Sequence, residues 1–170
     1  MKLLPIVIVG LAIALLGIAA CKRGSKIPTA DANADSDLKL ASVIELKRIH
    51  SGCIDCDDHS ITLHRGAGNL FADAAVIRTD LHTNKQREGK LSAYYYNHLI
   101  ELVKSQGVLE MNDEYATGWF DSLIVTMRVS IGDRKKTIRT SNEGEVPVPL
   151  WGIYMAVDGA VAYTKWNDAK

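Results

Sequence analysis

The sequence predicts an α+β domain in which an antiparallel sheet of about five strands carries two helices packed on one face. Three observations lead there. Runs of alternating, β-branched residues occur in groups joined by turn clusters, the pattern of hairpins. Single stretches with helical apolar spacing separate those groups, giving the order β-β-β-α-β-β-α without internal repeats. The composition is that of an ordinary globular chain: 170 residues, 47% apolar, with 20 Lys+Arg against 20 Asp+Glu.

Residues 42 to 50 and 59 to 65 are β-branched and loosely alternating, which predicts two strands joined across a cysteine segment. The cluster Gly66-Ala67-Gly68-Asn69 then predicts a turn and a third strand over 70 to 77. Ser92 is placed to cap a helix whose single apolar face is Tyr95, Leu99, Leu102 and Val103, and Gly107 stops it. In 123 to 131, Leu123, Val125, Met127, Val129 and Ile131 share one face of a strand. Gly132-Asp133 forms a two-residue turn, and 136 to 140 returns as the partner strand. Pro147 and Pro149 introduce a last helix with Leu150, Tyr154, Val157 and Val161 at helical spacing, weakened locally by Gly159.

Composition excludes several functional classes. A neutral chain generates no field to steer nucleic acid, and its one basic run, Arg134-Lys135-Lys136, sits beside a turn, so no nucleic-acid partner is expected. Three Cys, five His and four Pro exclude a disulfide-dense miniprotein, a multi-zinc array and a Pro-rich tract.

The N-terminus points to a compartment. Residues 3 to 20 carry no charge, follow Lys2 and stop at Cys21-Lys22-Arg23. With small residues immediately before the cysteine, Ile18-Ala19-Ala20-Cys21 resembles the lipobox of bacterial lipoprotein signal peptides. That resemblance implies a signal peptide over 1 to 20, cleavage before Cys21, and acyl chains (diacylglyceryl and an amide-linked fatty acid such as palmitate) on Cys21. It makes the membrane a partner through those chains. Lys22, rather than Asp, as the second mature residue implies sorting to the outer membrane, facing the periplasm. An uncleaved transmembrane anchor is the competing reading, since 18 apolar residues just suffice to span a bilayer. Residues 22 to 37, rich in Asp, Ala, Ser and Lys without apolar periodicity, read with Cys21 as a lipidated flexible tether over 21 to 37. A single domain over 38 to 170 follows, about 130 residues, enough for one two-layer core.

One segment is dense in reactive side chains: His50, Cys53, Cys56 and His59, one every third residue, with Asp55, Asp57 and Asp58 between and beside them. Three chemistries fit. An exported chain meets an oxidising compartment, and with Cys21 acylated, Cys53 and Cys56 are the two remaining thiols and are expected to form a disulfide. Alternatively, two imidazoles and two thiolates form a donor set for tetrahedral zinc, although metal modules usually draw ligand pairs from separate elements. Thiol redox chemistry is the third, disfavoured because three neighbouring carboxylates destabilise a thiolate. The expectation is therefore the disulfide, with no metal or other cofactor; zinc on His50, Cys53, Cys56 and His59 is the alternative.

Elsewhere, His64, His82 and His98 are isolated in sequence and read as surface or packing residues. Asp113-Glu114 and Asp57-Asp58 read as solvated turns. No hydrolase elbow occurs, and Gly66-Ala67-Gly68 lacks the Lys and helix of a phosphate loop. Tyr94, Tyr95, Tyr96, Trp119 and Trp151 are candidates for an aromatic contact surface.

Taken in order, the opening strand, the pair Cys53 and Cys56, the Gly turn, the helix, the stretch Gly107-Val108-Leu109-Glu110, the Gly132-Asp133 hairpin, the Pro before the last helix and the late Trp166 resemble a bacterial family catalogued as domain of unknown function 6438. The resemblance spans 42 to 166 and departs at the cysteines, which two residues separate here instead of the family's three. It implies an exported or lipid-anchored protein and no particular reaction. With no nucleophile beside a base and no acid beside its base, the sequence leans away from an enzyme. The expected function is a lipid-anchored, non-enzymatic binding or envelope-associated module with an envelope protein as partner. The alternative is a zinc-binding or thiol-redox protein built on the cysteine segment.

Overall fold

The computed structural model describes residues 40–53, 55–115, 123–141 and 146–167. The expected signal peptide, Cys21, the tether and Trp119 lie outside the described residues. The elements are β1 (Ser42–His50), β2 (His59–Arg65), β3 (Ala74–Asp80), β4 (Gln86–Leu91), α1 (Ala93–Ser105), a 3-10 turn (Val108–Glu110), β5 (Glu114–Tyr115), β6 (Leu123–Ile131), β7 (Arg134–Ser141), α2 (Val148–Ala162) and β8 (Lys165–Trp166). They build one open sheet of order β5-β7-β6-β1-β2-β3-β4-β8, antiparallel except for β5, which runs parallel to β7.

Alternation decides the layers. Ser42, Ile44, Leu46 and Arg48 of β1 are buried, as are Ile61, Leu63 and Arg65 of β2 and Val125, Met127, Val129 and Ile131 of β6. The opposite face of the sheet is more polar, with Glu45 and Arg128 pairing across β1 and β6. Both helices lie on the buried face. The Tyr96 hydroxyl of α1 donates to the Ser42 carbonyl near one end of β1, while Asp158 of α2 accepts from Arg48 near the other. Between them Leu99, Ile100 and Val103 of α1 and Leu150, Ile153, Tyr154 and Val157 of α2 close the core over the sheet.

The mixed α+β architecture and the two helices agree with the sequence pattern, but the sheet has eight strands rather than about five. β4 gives little signal because its buried inward positions are only Gly89 and Leu91. Gly89 is required there: a Cβ would lie 2.6 Å from Thr164 Cγ2 and 2.8 Å from the Lys165 carbonyl, where β8 crosses. β5 and β8 are two residues each and exist only through pairing with β7 and β4.

β3 begins at Ala74, not at 70. Asn69 prolongs the turn, its side chain accepting from Phe71 N and its carbonyl from Ala72 N. At the start of α1, Ser92 makes no side-chain cap; Asp73 Oδ1 accepts the Ala93 N–H at 3.2 Å instead. The inward face of α1 is Tyr96, Leu99, Ile100 and Val103, turned from the expected one, so that Tyr95 is exposed. Gly107, in the left-handed region at φ 65°, takes the chain out of α1. Ile131 pairs directly with Arg134 across the Gly132-Asp133 turn, so β7 starts two residues earlier than expected. In α2 the buried set is Leu150, Ile153, Tyr154, Val157 and Ala160, with Val161 partly exposed. Among the described residues no helix is long and apolar enough to cross a membrane.

Candidate functional site: a polar recess beside the cysteine loop

At one end of the sheet, positions on the helix side change from aliphatic to polar without breaking the alternation. Along β1 the inward sequence is Ile44, Leu46, Arg48, His50; in β2, His59 follows the cysteine loop and pairs with Arg48; in β3, Arg78 pairs with Ile61. Asp158 and Val161 of α2 and Leu123 of β6 complete an open depression of about 450 Å³ around these side chains and Asp57.

Opposite charges meet throughout the recess. Arg48 makes a two-pronged contact with Asp158, Nη1 to Oδ1 at 2.8 Å and Nη2 to Oδ2 at 2.9 Å, with the guanidinium side chain 9% and the carboxylate side chain 40% exposed. Arg78 Nη2 donates to Asp57 Oδ2 at 2.7 Å. His59 donates from Nδ1 to the Asp57 carbonyl at 2.8 Å.

Asp58 is the buried member of the acidic run. Its Oδ1 accepts the His50 backbone N–H at 2.8 Å and the His50 Nδ1–H at 2.9 Å, and its Oδ2 lies 3.5 Å from His82 Nε2. The backbone N–H of His50 holds this carboxyl below the usual aspartate range; burial opposes the shift, and the rings of His50 and His82 reinforce it. The backbone of Asp58 also serves the loop, donating to the Cys56 carbonyl at 2.8 Å and accepting from Leu81 N at 2.9 Å. One residue thus ties the end of β1, the cysteine loop and the β3–β4 connection together.

The Sγ atoms of Cys53 and Cys56 lie 1.98 Å apart, at disulfide distance, with Cα atoms 5.7 Å apart. Gly52, at φ 82°, supplies the left-handed backbone that turns the chain into this loop. His50 and His59, placed by the sequence in a possible zinc quartet with the cysteines, are directed to Asp58 and to Asp57. Among the described residues no group of three or more His, Cys, Asp or Glu side chains is arranged to hold a metal ion.

His82, which reads as isolated in sequence, belongs to this region: its Nε2 donates to the Cys56 carbonyl at 3.1 Å and faces Asp58. His98 is exposed and donates from Nδ1 to the Tyr94 carbonyl. Arg48, Arg78 and Asp158 were not singled out from sequence. For Arg48 a signal existed, since a charged residue occupies an inward position in register with Ile44 and Leu46. Arg78 carries the same signal, continuing the inward set Ala74 and Val76 of β3; for Asp158 none existed, since its partner Arg48 is 110 residues away. Compared with known families, the chain matches no family model, and no curated protein matches it.

Proposed function

We propose that this chain is a lipid-anchored module of the bacterial envelope, held through Cys21 in the outer membrane facing the periplasm, and that it binds a partner there without catalysing a reaction. The likeness of Ile18-Ala19-Ala20-Cys21 to a lipobox supports the anchor. The observation that carries the binding role is the recess. Asp58, Asp57, Asp158, His50 and His59 are all engaged in ion pairs or turn hydrogen bonds, which suits a shaped recognition surface better than proton transfer. The similarity to domain of unknown function 6438 fits the same reading.

In this proposal Cys53 and Cys56 are oxidised in the mature protein, which removes both thiolates from any zinc site. Thiol titration with elemental analysis decides between this and zinc binding by His50, Cys53, Cys56 and His59. No free thiol and no metal is the expected result; two free thiols with stoichiometric zinc would overturn it. For the anchor, intact mass measurement of membrane-extracted protein is expected to find a chain starting at acylated Cys21. Unchanged membrane retention of a Cys21→Ala variant would refute it.

A further inference from the structure

Among the described residues, the two helices leave an apolar surface uncovered. α2 carries a single charge, Asp158, and that side chain is turned to Arg48. A helix apolar on all sides is normally buried on all sides. Here Val148, Trp151 and Met155, at i, i+3 and i+7, form an outward stripe in which Val148 is 79% and Trp151 46% exposed. Beside it, a groove of about 240 Å³ runs between the helices, lined by Leu99 and Leu102 of α1 and by Ala156 and Gly159 of α2. Tyr95 and Tyr163 stack at its end with ring centroids 4.7 Å apart, and Tyr94 packs edge-on against Tyr95. Phe71, 89% exposed, stands on the loop that Asp73 and Asn97 fasten to the first turns of α1.

We propose that this outward helical face docks onto the bilayer that carries the lipid anchor, its Trp and Tyr side chains seated at the boundary between headgroups and hydrocarbon. The proposal rests on the lipid-anchor reading above. Two further features favour a membrane over a second copy of the chain. Tyr94, Tyr95, Tyr163 and Trp151 combine an apolar body with a polar tip, the chemistry that settles at a membrane interface. The path of the chain also brings the bilayer close. The described residues start at Leu40, and the first turn of α1, which carries Tyr94 and Tyr95, holds Ser42 through the Tyr96 hydroxyl. From Cys21 to Leu40 the chain spans at most about 65 Å when fully extended, so an anchored domain is never far from lipid. Because the protein is neutral, docking does not require anionic lipid.

The test uses the mature protein, its acylation established by mass, reconstituted into phosphatidylcholine vesicles with brominated acyl chains, which quench indole fluorescence at the hydrocarbon boundary. Quenching is expected, insensitive to 0.5 M salt, and lost in Trp151→Phe. In a second arm, protein without acyl chains is titrated with the same vesicles. There Met155→Asp, at an exposed position, is expected to raise the lipid concentration for half binding about tenfold while far-UV circular dichroism stays unchanged. A mass without acyl chains would defeat the anchor reading alone, since the second arm still measures docking. Failure of Trp151 to be quenched in the acylated protein would overturn the docking proposal. So would a sedimenting dimer that Met155→Asp disperses, which would assign the face to self-association.

Discussion

Asp58 accepts two hydrogen bonds from His50 and faces His82 from a buried position, so its ionised form is favoured in the folded chain over the unfolded one. A carboxyl whose folded pKa is lowered contributes stability that is present above its unfolded value, 3.8, and is lost as pH falls through the folded value. Asp58→Asn is therefore expected to lower the urea midpoint at pH 7 and to make the decline below about pH 4 shallower than in the native protein. An equally steep acid decline in the variant would remove Asp58 from this role. The Arg48–Asp158 pair is tested differently, because the guanidinium is the more buried partner. Asp158→Ala is expected to cost about 1.5–3 kcal/mol, because it removes both hydrogen bonds that the largely buried guanidinium donates to this carboxylate. A urea titration of the variant gives the number, and a loss below about 0.5 kcal/mol would reduce the pair to an ordinary surface contact.

Among the elements, those legible in the sequence are those whose side chains alternate over a full strand. β1, β2 and β6 have the bounds that their patterns imply. β4 was not legible, because a strand that receives a crossing neighbour needs Gly89 where a pattern needs an apolar side chain. Gly89→Ala is expected to destabilise the fold by about 1–3 kcal/mol by displacing β8, measurable by chemical denaturation. The inward face of α1 differs from the expected one at two positions, Tyr96 and Ile100 in place of Tyr95 and Leu102, because three consecutive tyrosines fit the apolar stripe in more than one rotation; burial of the Tyr96 hydroxyl against Ser42 selects one. The cysteine loop was legible as a reactive segment, but not its supports, since His82 and Arg78 reach it from β3 and the turn after it. If Cys53 and Cys56 are joined, replacing both by Ser closes no long loop in the unfolded chain and is expected to cost at most about 2 kcal/mol. A larger loss would mean that the bond supports more than its own turn.

At the scale of the whole molecule the described sheet ends at both sides in strands of two residues, β5 and β8, which cover only part of β7 and β4. Its centre has a different consequence. β1 lies between β2 and β6, and its register with β6 runs from Ser42 opposite Ile131 to His50 opposite Leu123. If the chain is exported N-terminus first, as proposed above, β1 emerges early but lacks one of its two partners until residue 131 has followed. Pairing β1 with β6 is a contact of long sequence separation, which is expected to form late in folding. A chain ending at Asp113, which contains β1 to β4 and α1 but not β6, is expected to show no cooperative urea transition. A sharp transition in that fragment would mean that the first hairpins fold without waiting. On that proposed route, completion of β1 reports that the chain has crossed at least as far as residue 131, with β7, α2 and β8 still to be added.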